Sequence, residues 1–308
     1  MNNIYQKTLA NSASFEGIGL HTGKKSKIRV RSGEANTGII FKRVDLNKNN
    51  LVKAIYRNVS SAKLCTTLEN EHGVKVSTVE HLLAAIYFAN IDNAIIEIDC
   101  DEVPIMDGSA KNFLDTFKKI EIKQLSEKRK YLTVSSKIEV IDGNRKISIE
   151  PNNQTLEVEF QLNYDNQLIG KQKNLVDFDK DDLNDVSNSR TFCLYEDIEK
   201  IKKNGLAKGG SLDNALVVDK GKVLNKEGLR NSKEFVNHKI LDLAGDCILS
   251  GYRILGKIKC YQGGHELTNL FLRKIFKTKE SFKVVMPSDF KASKRFHSEK
   301  IEKIAINA

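Results

Sequence analysis

Apolar positions in the first part of the chain recur at intervals of two. Lys27-Ile28-Arg29-Val30-Arg31 and Thr37-Gly38-Ile39-Ile40-Phe41-Lys42, parted by Gly33 and Asn36, have the alternation of half-buried strands and read as antiparallel. The spacing then predicts a helix over Val79 to Phe88, with Ser77 and Thr78 as N-cap candidates and Asn90 at its end. Asp92-Asn93 turns the chain into a strand, Ala94 to Ile98. Pro104-Ile105-Met106-Asp107-Gly108 makes a turn, Ser109 caps, and Asn112 to Lys119 reads as a second helix.

The same order then returns. Residues 121–130 are polar and charge-dense, as a linker between packed units is. Beyond them come strands at Tyr131 to Val140, Arg145 to Glu150 and Leu156 to Leu162, and a helix at Phe235 to Leu249. A strand at Leu255 to Tyr261, a Gly263-Gly264 turn and a helix from Glu266 to Phe276 complete the series. The repeated plan predicts two similar α+β domains, 1–126 and 127–280, packed against each other with a groove between them. Residues 281–308 form a basic tail. One piece of the second half, Thr191 to Val218, exceeds a short connection in apolar content, through Leu194, Ile198, Ile201, Leu206, Leu216 and Val217. It reads as a helical insert with something apolar beneath it.

Composition narrows the class. The chain has 308 residues, enough for two domains of roughly 150 each. With 40% hydrophobic and 29% charged residues, neither disorder nor a fibrous repeat is expected. Fifty Lys and Arg against forty Asp and Glu leave a net charge of +10, which suits phosphate-bearing partners. The Lys-rich stretches lack the interleaved aromatics that stack bases, so nucleic acid is not an expected partner. The cysteines Cys65, Cys100, Cys193, Cys247 and Cys260 form no Cys-x-x-Cys pair and read as reduced thiols. No apolar run approaches the roughly 20 residues of a membrane span, and the first residues carry no signal-peptide core; a cytoplasmic protein is expected. No exposed apolar helix asks for a partner, so the expectation is a monomer.

Candidate chemistry gathers around histidines. On the predicted helix at 235–249, His238 and Asp242 fall one turn apart on one face, where they can share a metal ion or form a plain ion pair. Asp246 follows one turn on, placed to orient a further histidine. In Ser77-Thr78-Val79-Glu80-His81, the Ser-x-x-Glu spacing reads as a capping box. Alternatively, His81 adds a third metal ligand, and Glu80 takes a proton from metal-bound water. Gly263-Gly264-His265 is either a solvated turn or a histidine acting as acid at a site the glycines leave open. His21, in Gly19-Leu20-His21-Thr22-Gly23, sits in a loop able to line the groove; His72 and His297 read as surface.

Together these segments, with Pro104-Ile105-Met106-Asp107-Gly108-Ser109-Ala110 and Ser189-Arg190-Thr191-Phe192, resemble the UDP-3-O-acyl-N-acetylglucosamine deacetylases, zinc enzymes of lipid A biosynthesis in Gram-negative bacteria. The resemblance runs in order from about Thr8 to Phe276. It implies helices packed between the two sheets and an active site at the interface of the halves. It implies one Zn2+ held by His81, His238 and Asp242, with Glu80 as general base. It makes His265 the acid held protonated by Asp246, and Thr191 the binder of the oxyanion. Lys239 and Phe192 would contact the UDP-linked substrate. Ile198, Leu206, Gly210, Ser211, Ala215 and Val217, in the insert, would line a passage for its acyl chain. An amidohydrolase acting on another N-acetylated sugar, or a non-catalytic binding module, are the other readings. The small apolar end, Ile304 to Ala308, is expected to be readable by a regulatory protease.

Overall fold

The computed structural model describes residues 4–287. The basic stretch from Lys291, His297 and the end expected to meet a protease lie outside them.

The fold is α+β. One sheet has five strands in the order Ala13–Ile18, Lys25–Ser32, Ala94–Ile98, Ile39–Arg43 and Leu51–Lys53. The two strands expected to pair antiparallel do not touch. Ala94–Ile98 lies between them, antiparallel to the first and parallel to the second. The reason is burial: Ala94, Ile96 and Ile98 are fully buried, and so apolar a strand loses most by standing at a sheet edge.

The second sheet has seven strands built around Arg253–Tyr261, which pairs parallel with Tyr131–Val134 and with Leu156–Asn163, and antiparallel with Arg145–Glu150. The expected single strand over 131–140 is two, because the chain breaks at Ser135-Ser136-Lys137 before Ile138–Asp142. Phe282–Val285, at the start of the expected tail, adds an antiparallel strand beside Tyr131–Val134. The polar stretch read as a linker is also a strand: Ile122–Lys128 pairs antiparallel with Tyr5–Leu9. It is polar because this ribbon leaves most of its side chains in water.

Six helices complete the described residues: α1 Glu80–Phe88, α2 Lys111–Lys118, α3 Asn184–Ser187, α4 Tyr195–Lys203, α5 Glu234–Cys247 and α6 His265–Lys277. α1 packs along α5, α2 lies beside α1 and against the five-stranded sheet, and α5 and α6 lean on the seven-stranded one. α2, α1, α5 and α6 thus run in series from the five-stranded sheet to the seven-stranded one. α1 is buried from Glu80 to Tyr87, and α5 at every residue but Lys239. Helices closed off on all sides in this way belong to an interior. Their approach is closest at Gly245, where a Cβ atom would stand 2.1 Å from the Glu80 carbonyl oxygen. Only glycine lets the two backbones meet there.

The insert makes a small sheet of its own, Phe192–Leu194 parallel to Leu216–Asp219, which in turn pairs with Lys222–Val223. α4 joins the first two strands, and none of its residues is fully buried. Among the described residues no helix is long and apolar enough to cross a membrane.

Candidate active site

The contact of α1 with α5 brings His81 from the first half against His238 and Asp242 from the second. Asp242 Oδ1 lies 3.5 Å from His81 Nε2 and 3.4 Å from His238 Nε2. All three side chains are buried, and their ligand atoms fall within 4.8 Å of one another. Asp242 Oδ1 has no hydrogen-bond partner in this enclosed setting. A buried carboxylate oxygen left so costs about 1–3 kcal/mol or more unless something else satisfies it. Bonds of roughly 2.0–2.1 Å to one tetrahedral ion would put neighbouring ligand atoms about 3.4 Å apart, so the three residues present fit a zinc ion.

Protonation fits as well. His238 Nδ1 lies 3.1 Å from the Ser189 carbonyl oxygen, so it carries the hydrogen and Nε2 offers its lone pair to the site. Burial pushes His238 down to about 3, which keeps it a neutral imidazole. Burial opposes the charge on Asp242, but His238, Lys239 and His265 together hold its carboxyl well below the usual range. Lys239 Nζ donates to Asp242 Oδ2 at 2.6 Å, leaving Oδ1 for the two imidazoles to face.

Glu80 does not cap its helix. The Ser77 amide donates instead to the Asp101 carbonyl, and Val79 holds the cap position without a side-chain bond. The carboxylate turns inward: Oε2 accepts the Thr66 N–H at 3.0 Å, and Oε1 lies 3.8 Å from His265 Nε2. Burial pushes Glu80 above the usual carboxylate range, with His265 and His81 pulling the other way. His265 opens α6 directly after Gly264. Its Nδ1 is 2.8 Å from Asp246 Oδ2, and its Nε2 faces Glu80 and, at 3.9 Å, Asp242. Burial alone would depress it, yet Asp246, Glu80 and Asp242 overcome that and raise it to about 9. Thr66, which the sequence did not single out, donates its hydroxyl to Asp246 Oδ1 at 2.6 Å.

Arg190 fixes the segment that carries Ser189 and Thr191. It is 1% exposed, and its Nε donates at 2.8 Å to Glu234, which opens α5 and is fully buried. Its Nη2 donates to the Gly228 carbonyl at 2.7 Å, and Glu227 takes Nη1. The Thr191 amide donates to the Gly108 carbonyl at 2.8 Å.

A cavity of about 800 Å3 opens over this cluster, bordered by His81, His238, Asp242, Glu80, His265 and Thr191, with Lys239 and Phe192 on its wall. Of the expected passage residues, Leu206 lines it; Ile198, Gly210, Ser211, Ala215 and Val217 lie outside that lining. Ile201, one of the apolar residues that marked the insert, lines it too, as do Lys200, Lys63 and Tyr164, which no spacing announced. Tyr164 packs edge-on against Phe192, their centroids 5.8 Å apart. His21 is buried with an unpartnered Nε2, outside the lining, and His72 is on the surface.

The sequence profile of LpxC, the UDP-3-O-acyl N-acetylglycosamine deacetylases, matches residues 6–277. The UDP-3-O-acyl-N-acetylglucosamine deacetylase of Pseudoalteromonas translucida is 40% identical over 282 residues, 91% of this chain and 93% of that protein. Those of Geobacter sp. strain M21 and Haemophilus ducreyi are 40% and 38% identical, over 92% and 93% of this chain and 92% and 94% of their own. The matched span holds every residue of the cluster from Thr66 to His265, and the chain belongs to the UDP-3-O-acyl N-acetylglycosamine deacetylase family.

Proposed function

We propose that the protein hydrolyses the 2-acetamido group of UDP-3-O-acyl-N-acetylglucosamine in the cytoplasm, giving acetate and the free amine, a step of lipid A biosynthesis. In this reading His81, His238 and Asp242 hold one Zn2+. The observation that carries it is Asp242 Oδ1, buried, unbonded and faced by two imidazole nitrogens at 3.4 and 3.5 Å. When bound, the ion supplies Lewis acidity to the acetamide carbonyl and lowers the pKa of a water it holds towards about 7.

The chain's own residues do the rest. Glu80, held by one oxygen at the Thr66 amide, has Oε1 free to take the proton of the attacking water. His265 carries protons on both nitrogens at neutral pH and gives the one on Nε2 to the departing amine. The Thr191 hydroxyl donates to the oxygen on which negative charge develops. Lys239 has two ammonium protons beyond the one given to Asp242, and with them binds the substrate's diphosphate. Phe192 offers its ring to the nucleotide end. The acyl chain runs under the insert past Leu206 and Ile201.

The test is acetate release from the UDP-linked acyl sugar by protein stripped with a chelator and then given one equivalent of zinc. Activity lost and restored supports reaction, substrate and metal together. Turnover of a simpler N-acetylated sugar in its place would replace the substrate. A Glu80→Gln variant should bind zinc and substrate normally and lose at least about 100-fold in kcat, as removal of a general base does; a binding module would lose nothing.

A further inference from the structure

We infer that Thr66 is a positioning residue that joins the base and the acid of the site into one rigid unit. This rests on the reading above. Its evidence is a closed circuit of contacts. The Thr66 backbone N–H donates to Glu80 Oε2 at 3.0 Å, and its hydroxyl donates to Asp246 Oδ1 at 2.6 Å. The remaining oxygens of those carboxylates face the two nitrogens of His265, Asp246 Oδ2 at Nδ1 and Glu80 Oε1 at Nε2. Each carboxylate therefore has one oxygen turned to Thr66 and one to the imidazole. Thr66 is 1% exposed, so bulk water has little access to either contact.

The circuit also crosses the molecule. Thr66 and Asp246 are 180 residues apart, one in the first half and one on α5. Glu80 is tied to the backbone of Thr66 and would keep that bond with any residue but proline at 66; Asp246 is tied to Thr66 by the hydroxyl alone. Without that hydroxyl, Asp246 loses the contact that sets its own rotation, its bond to His265 Nδ1 loosens, and the imidazole loses its fixed aim at the leaving amine. Thr66 is neither one of the three candidate ligands nor one of the residues that line the cavity, and it reaches the lining only through Glu80, so loss of its hydroxyl should leave substrate affinity in place.

The experiment compares the zinc-loaded wild type with Thr66→Val, which keeps the shape and deletes the hydroxyl, and Thr66→Ser, which keeps the hydroxyl and deletes a methyl. Thr66→Val is expected to lower kcat by about 10- to 100-fold, the usual loss for an outer hydrogen-bond partner, with KM and zinc affinity within about twofold. Thr66→Ser is expected within about threefold of wild type. The second readout is the downfield Nδ1–H resonance of His265, expected in the wild type and Thr66→Ser and lost to exchange in Thr66→Val; it reports the bond whether or not the protein turns over this substrate. Wild-type kcat and an intact resonance in Thr66→Val overturn the inference, as do equal losses in both variants, which would make the methyl and its packing responsible. An inactive wild type with the expected resonance pattern would instead overturn the substrate and keep Thr66 in its role.

Discussion

His265 sits with a carboxylate at each nitrogen, and under the proposed function its proton sets the alkaline limit of activity. It is raised to about 9, so the acid form prevails at neutral pH and is lost as pH rises through that value. As the proposed base Glu80 has to be ionised, and burial raises it, so the acid limb is expected at a pH above that of an ordinary carboxylate. A bell-shaped kcat/KM profile is expected, and a His265→Gln variant should lose the alkaline limb along with most of its rate, as measured by acetate release across pH 5 to 10. At this scale the sequence was uneven. His238 and Asp242 were legible because a helix repeats every 3.6 residues and puts them on one face. Glu80 was ambiguous, since a cap and a base share its spacing, and the inward turn of its carboxylate rules out the cap. Thr66 was silent: the residue its hydroxyl serves is 180 positions away, and no local pattern marks such a bond.

Where α1 crosses α5, two tendencies oppose each other at Gly245. Alanine would favour the helix by about 1 kcal/mol over glycine, but its Cβ would stand 2.1 Å from the Glu80 carbonyl oxygen, and overpacking of this kind costs about 1–3 kcal/mol. The clash should win. Gly245→Ala is expected to lower stability in urea and, by moving His81 away from His238 and Asp242, to weaken zinc binding by about tenfold, read by competition with a chromogenic chelator. Element identity was mostly legible: five of the six helices follow from apolar spacing or insert content, and the four with an expected start, α1, α2, α5 and α6, begin within one residue of it, while the four-residue α3 was not expected. Strand pairing was not. The alternation of Lys27 to Arg31 and Thr37 to Lys42 shows two half-buried strands, but their neighbour is chosen by a third segment some 50 residues on. The ribbon strand Ile122–Lys128 read as a linker because an exposed strand and a linker have the same polarity.

Across the whole molecule, the candidate ligands come from both halves, His81 from α1 and His238 with Asp242 from α5. An ion held between them stabilises the folded chain by about 2.7 kcal/mol at a hundred times its Kd. Chelation should therefore lower Tm by about 5 °C in a calorimeter, and Asp242→Ala should abolish the difference between stripped and loaded protein. The repeat of strands, helix, strand, turn and helix made the layered plan readable from the sequence; the seven-stranded sheet around Arg253–Tyr261 was not, because its members come from five separate stretches of chain. The Arg190–Glu234 pair has a further consequence, for how such a chain can drift over generations. Replacing Arg190 alone leaves the fully buried Glu234 carboxylate without its cation and costs about 3–5 kcal/mol, and replacing Glu234 alone leaves Arg190 only Glu227 and the Gly228 carbonyl, while replacing both by well-packed apolar residues can cost little. A single exchange at either of the two positions, 44 residues apart, then carries a deficit that is a large share of the about 5–15 kcal/mol of a typical fold, so the two are expected to change together or not at all.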